Sequence, residues 1–335
     1  MEKSALYALA DRVLELRTQH PRRYNLDRLL KDLSWVRIRS SSHGATVYLS
    51  VSYDCPTFKI PTDAHEVLRT DDFLGFTVAG SDYYLTDGAS VFHLRPAQRE
   101  GYARISPGFF SKPNIAQANF WCFGLLRLLR PLGLYSLHAA GLSAKFGGGI
   151  LIVGPPGSGK STLAIGLIRA GWSYLSDDAV FLRLRSEAVE ALACRRSFHI
   201  DAAQSFNYSD FVQSEEETDL NGGRRCRVAV EDTYPRQYVS HCLPRIVVFP
   251  RITHRHESAV KSIDSIRALG MLLAQSAPQL FDRSTMNGHL AVLKRLLKQA
   301  ETYELDAGTD LYHEPRKLIE LLRKAQVKRN GTHCH

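Results

Sequence analysis

Residues 154–178 of the chain read GPPGSGKSTLAIGLIRAGWSYLSDD. The stretch opens with the pattern G-x-x-x-x-G-K-[ST], which forms phosphate-binding loops when a strand precedes it and a helix follows it. Both elements are indicated, because the apolar residues ILIV at 150–153 come just before the loop and apolar residues recur at helical spacing after it. The stretch therefore predicts a phosphate site at the start of a helix, rather than a Gly-rich turn that binds nothing.

The loop and the first helical residues are the predicted nucleotide-binding residues. They are Gly154, Pro155, Pro156, Gly157, Ser158, Gly159, Lys160, Ser161 and Thr162. The glycines let backbone N–H groups converge on phosphate oxygens. In such a loop Lys160 reaches the β- and γ-phosphates and the Ser161 hydroxyl is a ligand of Mg²⁺. A nucleoside triphosphate and Mg²⁺ are therefore the expected ligands.

Asp177 and Asp178 follow the loop after one helix and one short strand. If that strand runs in the same direction as the strand before the loop, its carboxyl end lies at the same sheet edge and the acids face the γ-phosphate. One carboxylate can then hold Mg²⁺, and the other can accept a proton from an attacking hydroxyl. The alternative is a pair of Asp residues that cap a turn.

Two domains are indicated along the chain. Residues 1–114 are predicted to form a small α+β domain of unassigned role, with an amphipathic helix over 3–18 and strands within 35–51 and 73–96. After the turn-rich stretch at 105–114, strand–helix alternation predicts an α/β domain over 115–330 with helices on the faces of a sheet. Residues 205–225 are predicted to be a loop over a site.

Composition favours a cytoplasmic protein without a membrane partner. The 335 residues are 44% hydrophobic and 23% charged, contain no apolar run long enough for a membrane span and begin without the apolar centre of a signal peptide. The six cysteines include no C-x-x-C pair, so reduced thiols are expected. The His-Arg-His run at 254–256 and the terminal His-Cys-His are interpreted as solvated loop residues rather than metal ligands.

The formal net charge of +9 favours anionic ligands such as nucleotides. Nucleic acid would also suit this charge, but no recognised nucleic-acid-binding motif accompanies it, and we do not expect that partner. A homo-oligomer is compatible with the sequence.

The segment from 135 to 185 resembles the core of the HPr kinase/phosphorylase-like proteins, P-loop kinases whose fold is related to that of phosphoenolpyruvate carboxykinase. The family pairs its phosphate loop with an Asp-Asp motif after a short strand, as residues 171–178 do, and has a His upstream of the loop, which LHAAGL supplies as His138. The resemblance extends weakly through 243–252 and 303–325, where it is similar to kinases of peptide-modification clusters.

The resemblance implies ATP-dependent phosphorylation of a hydroxyl with Mg²⁺. The implied catalytic residues are Lys160, Asp177 as general base and His138, which orients the acid pair. Asp178 is then the metal ligand beside Ser161, with the reverse assignment of the two acids left open. A satisfied histidine at a strand start is the alternative for His138.

Two features bear on the acceptor. Arg225 and Arg227 could clamp the transferring phosphate or an acceptor carboxylate, the alternative being a solvated basic turn. The family signature ExRGLGxxN, which accompanies action on the HPr carrier and the phosphorylase reaction, is absent. Other relatives phosphorylate a serine, either in a lasso peptide or as the free amino acid.

The sequence therefore predicts a kinase that transfers the γ-phosphoryl group of ATP to a hydroxyl, such as a serine of a lasso-peptide precursor or a small molecule. The alternatives are a regulatory ATPase that acts through residues 1–114 and a nucleic-acid-directed kinase or binder. The acceptor, the nucleotide base and the reverse reaction stay open.

Overall fold

The computed structural model describes residues 3–18, 30–31, 33–42, 44–53, 58–69, 73–144, 148–202, 211, 214–218, 224–253, 255–276 and 283–332. The chain divides into two compact units. The first contains Met1–Tyr135, Asp201–Tyr208 and Glu215–Arg227, and the second contains Ser136–Ile200, Ser209–Ser214 and Val228–His335. The predicted boundary at 114/115 falls within the first unit. Most of the predicted loop at 205–225 lies outside the described residues.

The first unit contains a nine-stranded sheet. Its strands are Lys3–Leu9 (β1), Arg12–Thr18 (β2), Val36–Ile38 (β3), Val47–Ser52 (β4), His65–Arg69 (β5), Phe73–Val78 (β6), Ser81–Thr86 (β7), Ser90–Arg95 (β8) and Glu100–Arg104 (β9). They are arranged in the order β3-β1-β2-β4-β9-β8-β7-β6-β5. The strands predicted within 73–96 are confirmed as an antiparallel meander, whose two tight turns place Gly80 and Gly88 at positive φ.

The amino-terminal segment differs from its prediction. Residues 3–18 form the antiparallel pair β1 and β2, not a helix. The buried side chains Tyr7, Leu9, Leu14 and Leu16 alternate along the two strands, so the period is two rather than 3.6. The leucine positions fit parts of both a helical period of 3.6 and a strand period of two. The pairing of β2 with β4 selects the strand. The two strands predicted in 35–51 are present, but β3 pairs with β1 and β4 with β2.

Helix α1 (Asn114–Leu129) packs against the nine-stranded sheet. The buried Phe92 on β8 contacts Phe120 and Trp121 of this helix, with ring centroids 5.7 Å apart in both pairs. Gly124 allows the close approach, because a Cβ atom there would lie 2.3 Å from a ring carbon of Phe92. Within the described part of the chain, no helix has both the length and the apolar character needed to cross a bilayer.

Thirteen further strands follow. They are Tyr135–Leu137 (β10), Ala139–Ser143 (β11), Gly149–Val153 (β12), Ser173–Ser176 (β13), Val180–Arg185 (β14), Ala188–Ala193 (β15), Ser197–Asp201 (β16), Ser214–Thr218 (β17), Arg224–Ala229 (β18), His241–Cys242 (β19), Pro244–Ile252 (β20), Ala259–Ser262 (β21) and Glu301–Ala307 (β22). A six-stranded sheet has the order β13-β11-β12-β20-β22-β21, and a four-stranded sheet the order β10-β14-β15-β19.

The six-stranded sheet is mixed. β12, β20 and β22 run parallel, whereas β11 lies antiparallel between β12 and β13. Because β11 opposes both neighbours, β12 and β13 run in the same direction. The carboxyl ends of β12 and β13 therefore lie at the sheet edge where β11 begins. The sequence predicts this shared edge, but not the intervening strand.

Six helices complete the described part of the second unit. They are Lys160–Arg169 (α2), Val230–Thr233 (α3), Ser265–Ala274 (α4), Arg283–Gln299 (α5), Asp310–His313 (α6) and Lys317–Thr332 (α7). Helix α2 packs against β11, β12 and β13, and α5 against β14, β15, β20 and β22. Gly171 follows α2 with φ of 96°, as predicted for a glycine that ends a helix. The unit agrees at this level with the predicted α/β class.

Helix α1 provides a test of the packing in the first unit. We expect Gly124→Ala to lower the free energy of unfolding by about 1–3 kcal/mol, because the added methyl group overlaps Phe92. Gly270→Ala in α4 is the matched control, since among the described residues no atom beyond the helix's own backbone lies within 4 Å of its added Cβ, and it should stabilise by about 0.5–1 kcal/mol. Denaturant unfolding of both variants is the measurement, and equal stabilisation by both would contradict the packing.

Candidate functional site

The loop at 154–159 joins the fully buried strand β12 to α2. Gly157 and Gly159 have φ of 78° and 91°, a region that favours glycine. Gly154 is required for a different reason, because a Cβ atom there would lie 2.7 Å from Ser158 Oγ. Pro155, Pro156 and Gly157 are exposed, whereas Ser158 is buried. The three glycines of the motif thus allow a tight loop with an accessible rim.

Helix α2 begins at this loop without a side-chain cap. Its N-cap residue is Gly159, and its first turn contains no acidic residue. The amino end of a helix carries partial positive charge and N–H donors, which suit an anion. Ser161 and Thr162 are half-buried in this first turn.

Lys160 lies inside the loop. Its side chain is buried, and Nζ donates hydrogen bonds to the carbonyl oxygens of Gly154 and Pro155, at 2.8 and 3.0 Å. Burial lowers the pKa of Lys160, and the negative charges of Asp178 and Asp177 partly oppose this effect. The ammonium group of Lys160 is therefore hydrogen-bonded to the backbone at the start of the loop. It also interacts electrostatically with both acids.

Asp177 and Asp178 form the turn between β13 and β14. Asp178 has φ of 65°, in the left-handed region that Asp tolerates better than most residues. The turn sends the two carboxyl groups into different surroundings. Asp177 is only 2% exposed, whereas the Asp178 side chain is 50% exposed.

Asp177 is bound to the start of α2. Ser161 Oγ donates to Asp177 Oδ2 at 2.8 Å, while Asp177 Oδ1 is buried and finds no hydrogen-bond donor among the described residues. Burial and the neighbouring charge of Asp178 raise the pKa of Asp177 to about 6. A buried carboxylate oxygen that lacks a donor is costly in a folded protein, and a cation would compensate it.

Asp178 lies between two basic side chains. His138 Nε2 is 3.1 Å from Oδ1, and Arg195 Nη2 is 3.5 Å from Oδ2. Desolvation acts to raise the pKa of Asp178, but the charge of Arg195 and the hydrogen bond from His138 outweigh it, so the pKa lies well below its usual value. The charge of His199 on β16 acts in the same direction.

The position of His138 is fixed by the adjoining strand β11 and by Gln275. His138 stands just before Ala139, which pairs across the sheet with Val153, the last residue before the loop. Its backbone N–H donates to the Gln275 carbonyl oxygen at 3.1 Å, and its Nδ1 lies 3.2 Å from Gln275 Oε1. Gln275 follows α4 directly, so the end of this helix sets the orientation of the imidazole ring.

Sequence reasoning missed Arg195 as a site residue. The Arg195-Arg196 pair is visible as a basic cluster, but its contact with Asp178 depends on the return of the chain along β14 and β15. Ser176 Oγ accepts hydrogen bonds from the backbone N–H groups of Cys194 and Arg195, at 3.1 and 2.8 Å. The residue just before the acid pair therefore fixes the segment that carries Arg195.

The structure does not test the roles of the other residues considered in the sequence. Arg225 and Arg227 lie on β18, in the part of that strand assigned to the first unit, and their clamp role stays a prediction. His254 and residues 333–335 lie outside the described residues. Among the residues that are described, no group of three or more His, Cys, Asp and Glu side chains could hold a metal ion.

Comparison with known proteins gives a remote structural likeness and no match to a family model. No family model and no curated protein matches the chain. Among solved structures, it is similar to the HPr(Ser) kinase/phosphatase from Coxiella burnetii, with 13% sequence identity and a TM-score of 0.30. The match covers 58% of this chain and 98% of that chain.

The environment of Asp177 gives a pH-dependent prediction. Because its pKa is raised to about 6, its contribution to stability is complete at low pH and is lost as the pH rises through that value. We therefore expect Asp177→Asn to stabilise the magnesium-free protein at pH 8 by roughly 1–3 kcal/mol, with a smaller effect at pH 5. Asn keeps an oxygen that can accept from Ser161.

Thermal melts in EDTA across this pH range are the measurement. Asp264→Asn is the control, because it keeps a capping oxygen at the exposed start of α4 and should show no such trend. If the melting temperatures of wild-type protein and Asp177→Asn change in parallel across this pH range, the pKa of Asp177 is not raised in the folded protein.

Proposed function

We propose that the second unit is an ATP-dependent kinase that transfers the γ-phosphoryl group to an alcohol. The acceptor class we favour is a serine hydroxyl, in a peptide such as a lasso-peptide precursor or in a small molecule. One observation carries the proposal: the hydrogen bond from Ser161 to Asp177 joins the phosphate-loop motif to a pair of acids whose second member is accessible. Phosphoryl transfer to a hydroxyl needs a phosphate site and a proton acceptor side by side.

The loop residues support binding of a triphosphate. The uncapped start of α2 and the backbone of 154–159 offer N–H donors to phosphate oxygens. When a nucleotide binds, Lys160 Nζ would give up its hydrogen bonds to the carbonyl oxygens of Gly154 and Pro155 and would donate to the β- and γ-phosphates instead. These two hydrogen bonds hold the ammonium group at the loop until an anion competes for it.

Ser161 and Asp177 fit a magnesium ion. Mg²⁺ prefers oxygen ligands, usually one or two carboxylates together with phosphate and water. Asp177 Oδ1 is a buried carboxylate oxygen without a donor in the described part of the chain, and the Ser161 hydroxyl lies beside Oδ2. When bound, Mg²⁺ would neutralise charge on the phosphates. The raised pKa of Asp177 means that its proton must leave before the ion binds.

Asp178 is better placed than Asp177 to be the general base. An acceptor hydroxyl must reach the base, and the Asp178 side chain is half-exposed whereas Asp177 is 2% exposed. The geometry therefore favours the reverse of the sequence-based assignment, with Asp177 as the metal ligand and Asp178 as the base. The pKa of Asp178 lies well below its usual value, so the carboxylate is ionised at neutral pH.

His138 supports Asp178 rather than the phosphate. Its Nε2 faces Asp178 Oδ1 while Gln275 contacts both its backbone and its Nδ1, so the ring acts as a rigid brace for the carboxylate. A hydrolase that only positions water would not need an accessible acid oriented by two basic side chains. This difference favours a kinase over the regulatory ATPase.

Substitution of each acid separates the two roles. We expect Asp178→Asn to lower phosphoryl transfer by about 10²–10⁴-fold, because the proton acceptor is lost, with MgATP affinity within about threefold of wild type. Asp177→Asn should instead weaken nucleotide binding in Mg²⁺ and leave binding in EDTA unchanged. The measurements are calorimetric titration with ATP and transfer of label from γ-labelled ATP to acceptors in a cell extract.

The outcomes distinguish the alternatives. If Asp178→Asn labels acceptors as well as wild type does, Asp178 is not the base. Label released as inorganic phosphate, with no labelled acceptor, would favour the regulatory ATPase. An absence of MgATP binding by wild-type protein would end the proposal. Lys160→Ala serves as the control that removes phosphate binding without changing either acid.

A further inference from the structure

Ile252 is an exposed apolar residue beside the phosphate loop. It is the last residue of β20 and is 55% exposed. Its side chain lies against the backbone of Gly159, the N-cap residue of α2, because a Cβ atom at that glycine would be 3.4 Å from Ile252 Cγ1. Apolar surface is therefore available to a ligand at the rim of the candidate anion site.

The acid pair and Ile252 lie on opposite sides of the phosphate loop. Along the order β13-β11-β12-β20, the acid turn follows β13, the loop follows β12 and Ile252 ends β20. These three strands run in the same direction, so their carboxyl ends share one sheet edge. Neighbouring strands are about 4.8 Å apart, and β13 and β20 are therefore separated by roughly 14 Å. A ligand that binds the loop can reach the acids at one end and Ile252 at the other.

The apolar surface at Ile252 is anchored to the neighbouring strand β22. Ile252 lies opposite the small residue Ala307 in the parallel pairing of β20 with β22. The next residue, Thr253, donates to the Ala307 carbonyl oxygen from its backbone N–H at 2.8 Å and from Oγ1 at 3.1 Å. Thr309 N–H in turn donates to the Arg255 carbonyl oxygen at 3.0 Å. A surface that is fixed in this way loses little conformational freedom when a ligand binds.

We propose that the base of the bound nucleotide lies on the surface formed by Ile252 and Ala307. This inference rests on the kinase function proposed above. The γ-phosphate is directed towards the acid pair, so the nucleoside leaves the loop on the side of β20. The flat face of a nucleobase is weakly hydrated, and its contact with an aliphatic side chain removes apolar surface from water. The reacting hydroxyl of the acceptor must instead reach Asp178, on the opposite side of the loop.

Two magnesium-bound ligands test this inference without knowledge of the acceptor. They are ATP and inorganic tripolyphosphate, which has the chain of three phosphates but no base or ribose. In calorimetric titrations we expect Ile252→Ala to weaken MgATP binding roughly four- to tenfold, because about half of the burial of an isoleucine side chain is lost. The affinity for magnesium tripolyphosphate should stay within about twofold of wild type, since the loop itself is unchanged.

Three further variants serve as controls. Ile252→Leu keeps an apolar side chain of the same size and should bind MgATP within about threefold of wild type. Ile266→Ala removes an isoleucine that is 86% exposed at the start of α4, and it should change the affinity for neither ligand. Ile252→Thr keeps the branched side chain that suits a strand, and it replaces Ile252→Ala with the same expectation if that variant does not melt cooperatively.

The contrary outcomes are distinct. Wild-type MgATP affinity in Ile252→Ala overturns the base site but leaves the kinase proposal intact. An equal loss of affinity for both ligands also overturns it, because Ile252 would then support the loop rather than the base. A changed molar mass by light scattering, with MgATP affinity unchanged, assigns the surface to a contact between copies of the chain and overturns it too. A wild-type protein that does not bind MgATP at all removes the kinase function and this inference together.

Discussion

The hydrogen bond from Ser161 to the buried carboxylate of Asp177 is the contact on which the candidate site depends. It joins the start of α2 to the end of β13, and so brings the acid pair to the phosphate-loop motif. Burial of a carboxylate is unfavourable unless both oxygens are compensated, and within the described residues only one oxygen of Asp177 has a hydrogen-bond donor. A divalent ion bound beside a phosphate would supply the missing compensation, which gives a physical reason for an acid at this position.

Two neighbouring acids of the same type acquire opposite properties here. The turn at Asp178 directs Asp177 inward, where burial raises its pKa, and leaves Asp178 beside Arg195 and His138, where its pKa is lowered. Divergent surroundings of this kind allow one carboxylate to bind a metal ion and the other to accept a proton. The basic side chains at Asp178 come from β-strand ends and connections that are distant in sequence, so the contrast between the two acids is a property of the packed unit.

The sequence predictions are accurate where a structure depends on residues close together in the sequence. They fail where it depends on segments far apart in the sequence. The strand, loop and helix at 149–169 are specified by neighbouring residues, and the structure has them where the pattern places them. The segment 3–18 fails for the opposite reason, because its leucines fit two periodicities and a partner strand selects one. The place of β11 between β12 and β13 also escapes detection, because it depends on pairing with strands on both sides.

The sequence by itself determined the phosphate-loop motif, its glycines and the closeness of two acids, because these features depend on local backbone conformation and spacing. The tertiary structure alone decided which acid is buried, and it brought His138, Gln275 and Arg195 together around them. The physical reason is that burial and charge pairing arise between segments distant along the chain, and no local pattern records how those segments return to the same sheet edge.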